Sequence, residues 1–426
     1  MNKELPSHLS SVYGRKTILI ILVVAFFLRL LVIFTSGNRM TLYSDDLGYI
    51  RTAIDFMKTG NLTYWGAPHL TVFMMPGMPV LLNLIFSVTG YTETGLLLAR
   101  IPFVLLGTLN VYGVYLVACE VGNVNIANLS ALFAALFVPQ IAMDNLFMTE
   151  TPFTTCLLFM TLYLLRFFKD QMDKNFLCAL TLYLMGLMFK PTIGLYPMAF
   201  IQLALKTKIS IKLLLKRGIY AAAVLILVLT PWITRNYIAL GEIVPFTGNQ
   251  GDSLLLGTFQ GYGYPEGTYS DVNQPIMGKP RELGKENLYF AYKEKSEVGK
   301  QRLQQWFFDN PGAFLYSNLI YKPYLSIRST YYPVKVFNIP SHLAVYSHRF
   351  LIAFSLVGML GVIIKKDLKM VTILMGILLL IYVNGFYFAF TRYTLPYMQL
   401  ICIFSACGLY YLYELFQSVK KLFILQ

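Results

Sequence analysis

Long apolar runs dominate the chain from residue 17 to residue 417, and one long polar stretch, residues 237–348, interrupts them. The runs are continuous and rich in Leu, Ile and Phe. Many have close to the length of about 20 residues that an α-helix needs to cross a bilayer. Strands of a membrane barrel would instead be about 10 residues long and alternate in polarity. The pattern predicts an all-α polytopic membrane protein. The candidate spans are residues 17–36, 71–90, 97–119, 126–143, 151–168, 175–190, 192–206, 217–236, 349–364, 370–390 and 395–417.

The segment 71–90 differs from the other runs because Pro76, Gly77 and Pro79 lie in its first half. Proline inside a helix removes a hydrogen bond and kinks the helix. Without this crossing about ten transmembrane helices remain, and the lysines and arginines of the short loops then collect on one side of the membrane. The positive-inside rule places that side, with both chain termini, in the cytoplasm. We therefore predict that residues 71–90 form a juxtamembrane or re-entrant helix on the external face.

This topology divides the chain into three predicted parts. Residues 1–236 form a transmembrane module that includes a first external loop, 37–95. Residues 237–348 form an external loop or cap, and residues 349–426 form the C-terminal transmembrane helices.

Composition and charge exclude several classes of protein. The chain is 56% hydrophobic and 13% charged, with a mean hydropathy of +0.58, whereas a soluble domain is about 25% charged. The net charge of +14 comes with no basic run long enough to suggest a nucleic-acid partner. The five cysteines lie in or beside apolar runs without metal-ligand spacing, so they are expected to be packing residues.

Ionisable residues are costly in hydrocarbon and commonly mark functional sites. In the predicted topology, several carboxylates lie at the external level: Asp45, Asp46, Asp144 and Glu150. Six basic residues lie in the external half or at external helix ends: Arg29, Arg100, Lys190, Arg235, Arg349 and Arg392. Such a set suggests a site that binds an anion and moves a proton. The alternative interpretation is a layer of interfacial side chains paired in salt bridges.

Several segments carry a resemblance to a known superfamily. They are YSDDLGYIRTAIDFMKTGNLTY and the proline-broken MPGMPVLLNLIFSVTGYTETGLLLARIPFVLLG, followed by MDNLFMTETPF, LMGLMFKPT, TPWITRNY and TRYTLP. In order and spacing they resemble the GT-C superfamily of polytopic glycosyltransferases, in the branch of the protein O-mannosyltransferases and aminoarabinose transferases. The resemblance implies a GT-C-like bundle with external juxtamembrane helices. One departure is that the acidic pair is Asp-Asp where many members have Asp-Glu.

The resemblance also implies a reaction. A sugar would move from a polyprenyl-phosphate donor to a hydroxyl of a lipid, glycan or protein acceptor at the external face of a bacterial plasma membrane. Such a transfer needs a carboxylate that accepts the acceptor's proton and cations that stabilise the departing phosphate. One carboxylate acting as base would invert the anomeric centre.

The candidate residues are assigned by their place in these segments. Asp45 is the preferred base, with Asp46 as a helix cap or alternative base and Asp144 as a second site carboxylate. The predicted donor-phosphate ligands are Lys190, Arg235, Arg392, Tyr393 and Arg100. Glu150, His69 and Arg29 are further candidates, as an acceptor contact, a helix-terminal charge or a lipid-headgroup contact. No dedicated metal site is predicted, although a divalent cation on Asp45 and Asp144 stays open.

Two other functions compete with this interpretation. A transporter or flippase of an anionic lipid-linked glycan would also concentrate cations in the membrane, but it would more often show inverted repeats and midplane charges, which the sequence lacks. An O-antigen ligase or polymerase would share the large external loop and the arginines but would lack an acidic pair directly after helix one.

Overall fold

The computed structural model describes residues 7–64, 70–207, 209–263, 267–279 and 287–424, and within these ranges the chain is helical without a β-strand. Its α-helices are α1 (Ser7–Ser36), α2 (Asp45–Thr59), α3 (Gly77–Thr89), α4 (Glu93–Val121), α5 (Val124–Leu136), α6 (Val138–Met143), α7 (Glu150–Asp170), α8 (Asp173–Phe189), α9 (Ile201–Lys206), α10 (Ile211–Leu240), α11 (Gln250–Gly257), α12 (Tyr269–Met277), α13 (Asn287–Asp309), α14 (Pro311–Tyr316), α15 (Lys322–Ile327), α16 (Ser341–Lys365), α17 (Leu368–Tyr387) and α18 (Leu395–Ile424). Stretches of 3-10 helix occupy Gly37–Arg39, Pro191–Phe200 and Thr391–Thr394, and Ser317–Tyr321 is π-helical.

Seven helices in the described ranges are long and apolar enough to cross a membrane: α1, α4, α7, α10, α16, α17 and α18. The predicted all-α polytopic membrane protein is confirmed. The other predicted crossings, 126–143, 175–190 and 192–206, are present as shorter or broken helices.

Proline explains where these three segments break. Phe137 separates α5 from the six-residue α6, which has Pro139 in its first turn. Lys190 follows α8, and Pro191 then begins a 3-10 stretch that contains Pro197 before α9 starts. Proline lacks the backbone N–H of a regular helix and disfavours helical geometry in the residue before it.

The segment 71–90 is helical only over α3, which has 13 residues. At a rise of about 1.5 Å per residue, α3 is about 20 Å long, shorter than the about 30 Å hydrocarbon core. It packs on α2 and α4, so the first loop forms a layer at the end of the bundle that carries Asp45. We call this end the Asp45 face.

The centre of the bundle is α18, which packs against α16, α5, α7 and α4. Its first half is almost entirely buried. Gly358 of α16 and Gly408 of α18 allow the two helices to touch, because a Cβ on either residue would overlap the carbonyl oxygen of Phe404 or Phe354 on the facing helix. This contact fixes the position of the α18 end that carries the 3-10 turn Thr391–Thr394.

Between α10 and α16 lie the helices α11 to α15. In this part α11 packs along α13, and Lys295 Nζ pairs with Asp252 Oδ1 at 2.6 Å. Helix α11 also contacts α17, and α15 contacts the turn Thr391–Thr394. These contacts bring the second half of the long loop against the Asp45 face.

Candidate active site

Asp45 begins α2 and points into a cluster of charges. Its Oδ2 accepts a hydrogen bond from Arg392 Nη1 at 2.8 Å, and its side chain stays 30% exposed. The Tyr64 hydroxyl lies 3.4 Å from the other carboxylate oxygen. A carboxylate at a helix N-terminus is stabilised by the helix dipole. Asp45 is therefore an accessible acceptor, held in place by an arginine near the other end of the chain.

Asp46 faces the opposite way and is 2% exposed. Its carboxylate accepts hydrogen bonds from the Thr41 hydroxyl at 2.6 Å, the Leu42 amide at 2.9 Å and the Ser44 amide at 3.1 Å. These bonds close the loop before α2 onto the start of the helix. The structure therefore brings Asp45, and not Asp46, to the cluster.

Glu150 joins the two cations of the cluster. It begins α7, is fully buried, and accepts a hydrogen bond from Lys190 Nζ at 2.7 Å. Arg392 Nε lies 3.3 Å from the same Glu150 oxygen. Lys190 reaches this point because Pro191 ends α8 and leaves Lys190 in an extended conformation. Asp45, Glu150, Lys190 and Arg392 thus form a continuous chain of ion pairs whose formal charges cancel.

Tyrosines line the cluster. Burial raises the pKa of Tyr49 and Tyr64 far above the ordinary tyrosine value, and the nearby Asp45 carboxylate adds to the shift. Both hydroxyls are therefore neutral donors. Tyr331 lies close to Arg392, and Lys190 Nζ lies 5.3 Å from the centre of the Tyr393 ring. Aromatic rings around two cations leave them only partly hydrated, which strengthens their attraction for an added anion.

Asp144 and Arg29 are not in this cluster. Arg29 Nε and Asp144 Oδ2 pair at 2.7 Å with both side chains fully buried. Gln140 and Thr151 each donate a further hydrogen bond of 2.8 Å to Asp144. Asp45 and Asp144, on which a divalent cation stayed open, pair with two different arginines, Arg392 and Arg29. Among the described residues no group of three or more His, Cys, Asp or Glu side chains is arranged to hold a metal ion.

Arg100 and Arg235 hold loops. Arg100 donates to the carbonyl oxygens of Asn145 and, at 2.8 Å, Met40, so it ties the first loop to the turn before α7. Arg235 donates to the carbonyl oxygens of Thr71 at 2.5 Å and Leu62 at 2.8 Å, so it ties α10 to the segment before α3. The structure thus brings Asp45 together with Lys190 and Arg392. His69 lies outside the described residues.

Two cavities follow each other along one side of α10. The first, of about 330 Å³, lies beside Arg235, Trp232 and Asn61 at the Asp45 face. The second, of about 320 Å³, is lined by apolar side chains of α7, α8 and α10. Val228 lines the first cavity and Leu225 the second, and residues three apart are neighbours on one helix face. Together the cavities form a row with a cationic end and an apolar end.

Sequence reasoning underrated Glu150 and missed Tyr49, Tyr64 and Tyr331. One signal for Glu150 was available in the sequence. A short turn joins the end of α7 to the start of α8, while Glu150 and Lys190 lie at the two helix ends far from that turn. Antiparallel neighbours of similar length bring such ends together. The tyrosines carry no sequence signal, since the chain has 30 of them.

Comparison with known proteins connects the fold to a superfamily. Residues 74–234 match the sequence profile described as dolichyl-phosphate-mannose-protein mannosyltransferase. No protein of curated function matches the sequence significantly. Among solved structures, the apo oligosaccharyltransferase of Archaeoglobus fulgidus is similar with a TM-score of 0.55 and 13% identity over 98% of this chain and 53% of that one.

Two further structures are similar. AglB of Archaeoglobus fulgidus, in complex with an inhibitory peptide and a dolichol-phosphate, has a TM-score of 0.53 and 12% identity over 96% of this chain and 52% of its own. ArnT of Cupriavidus metallidurans, bound to undecaprenyl phosphate, has a TM-score of 0.41 and 12% identity over 94% of this chain and 77% of its own. The chain spans about half the length of the oligosaccharyltransferase. The resemblance to these glycosyltransferases is confirmed by sequence over residues 74–234, and the fold of the oligosaccharyltransferase is shared over nearly the whole chain.

Proposed function

We propose that the chain is an inverting glycosyltransferase that moves a sugar from a polyprenyl-phosphate donor to a hydroxyl acceptor at the external face of the membrane. One observation carries the proposal: an accessible carboxylate, Asp45, is bonded to Arg392 in a cluster that also contains Lys190. A base for the acceptor and cations for a phosphate leaving group therefore lie within one chain of contacts. AglB is described with a dolichol-phosphate, and that lipid class supports the choice of donor.

The charges of the cluster couple Asp45 to the donor. Without donor, the four charged groups formally cancel, and Arg392 bonds Asp45. A sugar-phosphate diester brings one negative charge, which competes with Asp45 for Arg392. Donor binding would thus weaken the bond between Arg392 and Asp45 and leave the carboxylate available to the acceptor hydroxyl.

In the proposed reaction the sugar is transferred in a single step. The acceptor oxygen forms a bond to C1 of the sugar, its proton passes to Asp45, and the bond between C1 and the phosphate oxygen breaks. Polyprenyl phosphate leaves as a dianion beside Lys190 and Arg392, whose positive charges stabilise it. Attack opposite the leaving phosphate inverts C1 and requires no second carboxylate.

The row of cavities along α10 suits the lipid part of such a donor. A polyprenyl chain is apolar throughout and would occupy the apolar cavity, whereas the cationic end of the row lies at the Asp45 face. We retain Arg235 as a proposed contact for the headgroup at this end.

Asp45→Asn tests the proposal. The substitution keeps the shape of the side chain but cannot accept a proton, so turnover should fall by about 10²–10⁴-fold while donor binding survives. Arg392→Ala and Lys190→Ala should weaken donor binding as well, because the phosphate is charged before and during the reaction. Turnover is measured as release of polyprenyl phosphate from polyprenyl-phosphate mannose or polyprenyl-phosphate glucose. The purified protein is supplied with a membrane extract as the source of acceptor. Donor binding is measured separately on the same variants.

Asp55→Asn is the matched control. Asp55 lies on α2 ten residues after Asp45, about 15 Å along the helix, and accepts a hydrogen bond from Thr63. It should retain turnover. Full transfer by Asp45→Asn, or equal losses for Asp45→Asn and Asp55→Asn, would contradict the assignment of Asp45 as the base.

A further inference from the structure

Residues 311–327, which comprise α14, the π-helical turn and α15, have an exposed apolar side. Within the polar stretch 237–348 this segment is unusual because Lys322 is its only residue from the set Asp, Glu, Lys, Arg and His, and Lys322 is fully buried against the protein. Between a third and two thirds of each side chain on the outward side is exposed. These side chains are Leu315, Tyr316, Leu319, Ile320 and Tyr324.

The exposed side of this segment continues onto a membrane-spanning helix. Helix α17 presents an apolar stripe with residues three or four apart, and helical side chains at that spacing share one face. The stripe consists of Met375, Leu378, Tyr382 and Phe386. The Tyr382 hydroxyl donates to the Leu319 carbonyl at 3.1 Å, so the two surfaces join without a gap.

The depth of the segment follows from α17. This helix has 20 residues, about 30 Å, which matches the hydrocarbon thickness. Tyr382 lies five residues before its end, or about 7–8 Å below the Asp45 face. Amphipathic helices at a membrane interface bury their apolar side to a depth of about 5–10 Å. Asp309 and Arg328 flank the segment, where charged groups could reach the headgroups.

We propose that residues 311–327 are embedded in the lipid leaflet at the Asp45 face, with Leu319 and Ile320 in contact with acyl chains. The buried side of the segment packs on the protein through Lys322, whose Nζ donates to the Phe386 carbonyl oxygen of α17 at 3.4 Å. Because α15 contacts the turn that carries Arg392, and Tyr331 follows it, the embedded segment also fixes one wall of the charge cluster at the level of the headgroups. The inference concerns lipid contact and does not depend on glycosyl transfer.

Site-directed spin labelling of the full chain in phosphatidylcholine vesicles tests this inference. Single cysteines at Leu319 and Ile320, in a protein whose five native cysteines are replaced, should give the same high ratio of oxygen to nickel-chelate accessibility as a label at Leu378 of α17. Lys300 on α13, whose side chain is 58% exposed, is the aqueous control and should give a low ratio.

Two outcomes would overturn the proposal. A ratio at Leu319 and Ile320 equal to that at Lys300 would mean that the segment faces water. Low accessibility to both reagents would mean that a second copy or another protein covers it. If the cysteine-free protein does not fold, Ile320→Trp and Lys300→Trp are compared in the native background. Brominated phosphatidylcholine should then quench additional tryptophan fluorescence only in Ile320→Trp.

Discussion

One fully buried carboxylate, that of Glu150, contacts both cations of the charge cluster. Lys190 bonds it at 2.7 Å and Arg392 lies 3.3 Å away. Removing one partner from a buried ion pair is more damaging than removing the pair, because an uncompensated charge remains in a region of low dielectric. Glu150 therefore keeps the site stable while it is empty, and it competes with any anion that enters.

We expect Glu150→Gln to lower stability and to raise affinity for polyprenyl phosphate. Breaking a buried pair costs about 3–5 kcal/mol, and a ligand that binds only the folded state restores stability by mass action. The measurement is the unfolding temperature of purified protein with and without added polyprenyl phosphate. The lipid should raise it more in Glu150→Gln than in the wild type.

Asp144→Asn is the control, because it breaks a buried arginine pair that lies outside the cluster. It should lower the unfolding temperature without increasing the effect of the lipid. An equal effect of polyprenyl phosphate on both variants would contradict the role assigned to Glu150.

For the acidic residues, the sequence predicts the level in the membrane but not the partner of each carboxylate. That Asp45, Lys190 and Arg392 lie at one level of the membrane follows from helix ends and loop charges. That Asp45 meets Arg392 while Asp144 meets Arg29 depends on how α1, α4, α5 and α18 pack. Helix order alone does not determine this packing, so four acidic residues at one level could not be sorted into catalytic and structural candidates.

Among the helices, α16 and α18 make the most extensive contact, and α18 begins directly after the turn that carries Arg392. Gly358 and Gly408 remove the side chains that would separate them. The approach is that of small-residue interfaces between transmembrane helices, where the absence of a Cβ allows backbone contact.

We expect Gly408→Ala to destabilise the protein by about 1–3 kcal/mol, the usual cost of overpacking. It should also reduce donor binding, because the start of α18 would move with the helix. Thermal unfolding and donor binding are the measurements. Gly218→Ala on α10 is the matched control, since a Cβ there meets no atom within 4 Å, and it should be neutral or slightly stabilising. Wild-type stability of Gly408→Ala would show that the interface can separate without cost.

At the scale of the whole molecule, the class of fold was predictable and the continuity of its helices was not. Hydrophobic runs of membrane-spanning length give the class directly. Pro139 and Pro197 interrupt two runs that count as crossings by hydropathy, since a hydropathy count does not register a lost hydrogen bond. The orientation of the bundle in the membrane stays a prediction from the positive-inside rule.

Labelling of single cysteines from outside intact cells checks that orientation. A cysteine at Thr92, before α4, should react with a membrane-impermeant reagent, and one at Asn123, after α4, should react only after permeabilisation. The background is again the protein without its five native cysteines. Protection of Thr92, or reaction of Asn123 in intact cells, would refute the orientation.

The cavities along α10 have a consequence for how the proposed enzyme meets its donor. Few side chains of α10 are buried, and its apolar cavity lies between helices of the membrane-spanning bundle. A donor that enters there arrives by lateral diffusion and never passes through water. The rate should therefore depend on the mole fraction of donor in the bilayer, falling when inert lipid is added at constant donor and staying unchanged when the vesicle suspension is diluted with buffer. For such an enzyme the membrane area per donor molecule, rather than the volume of the compartment, sets the working concentration.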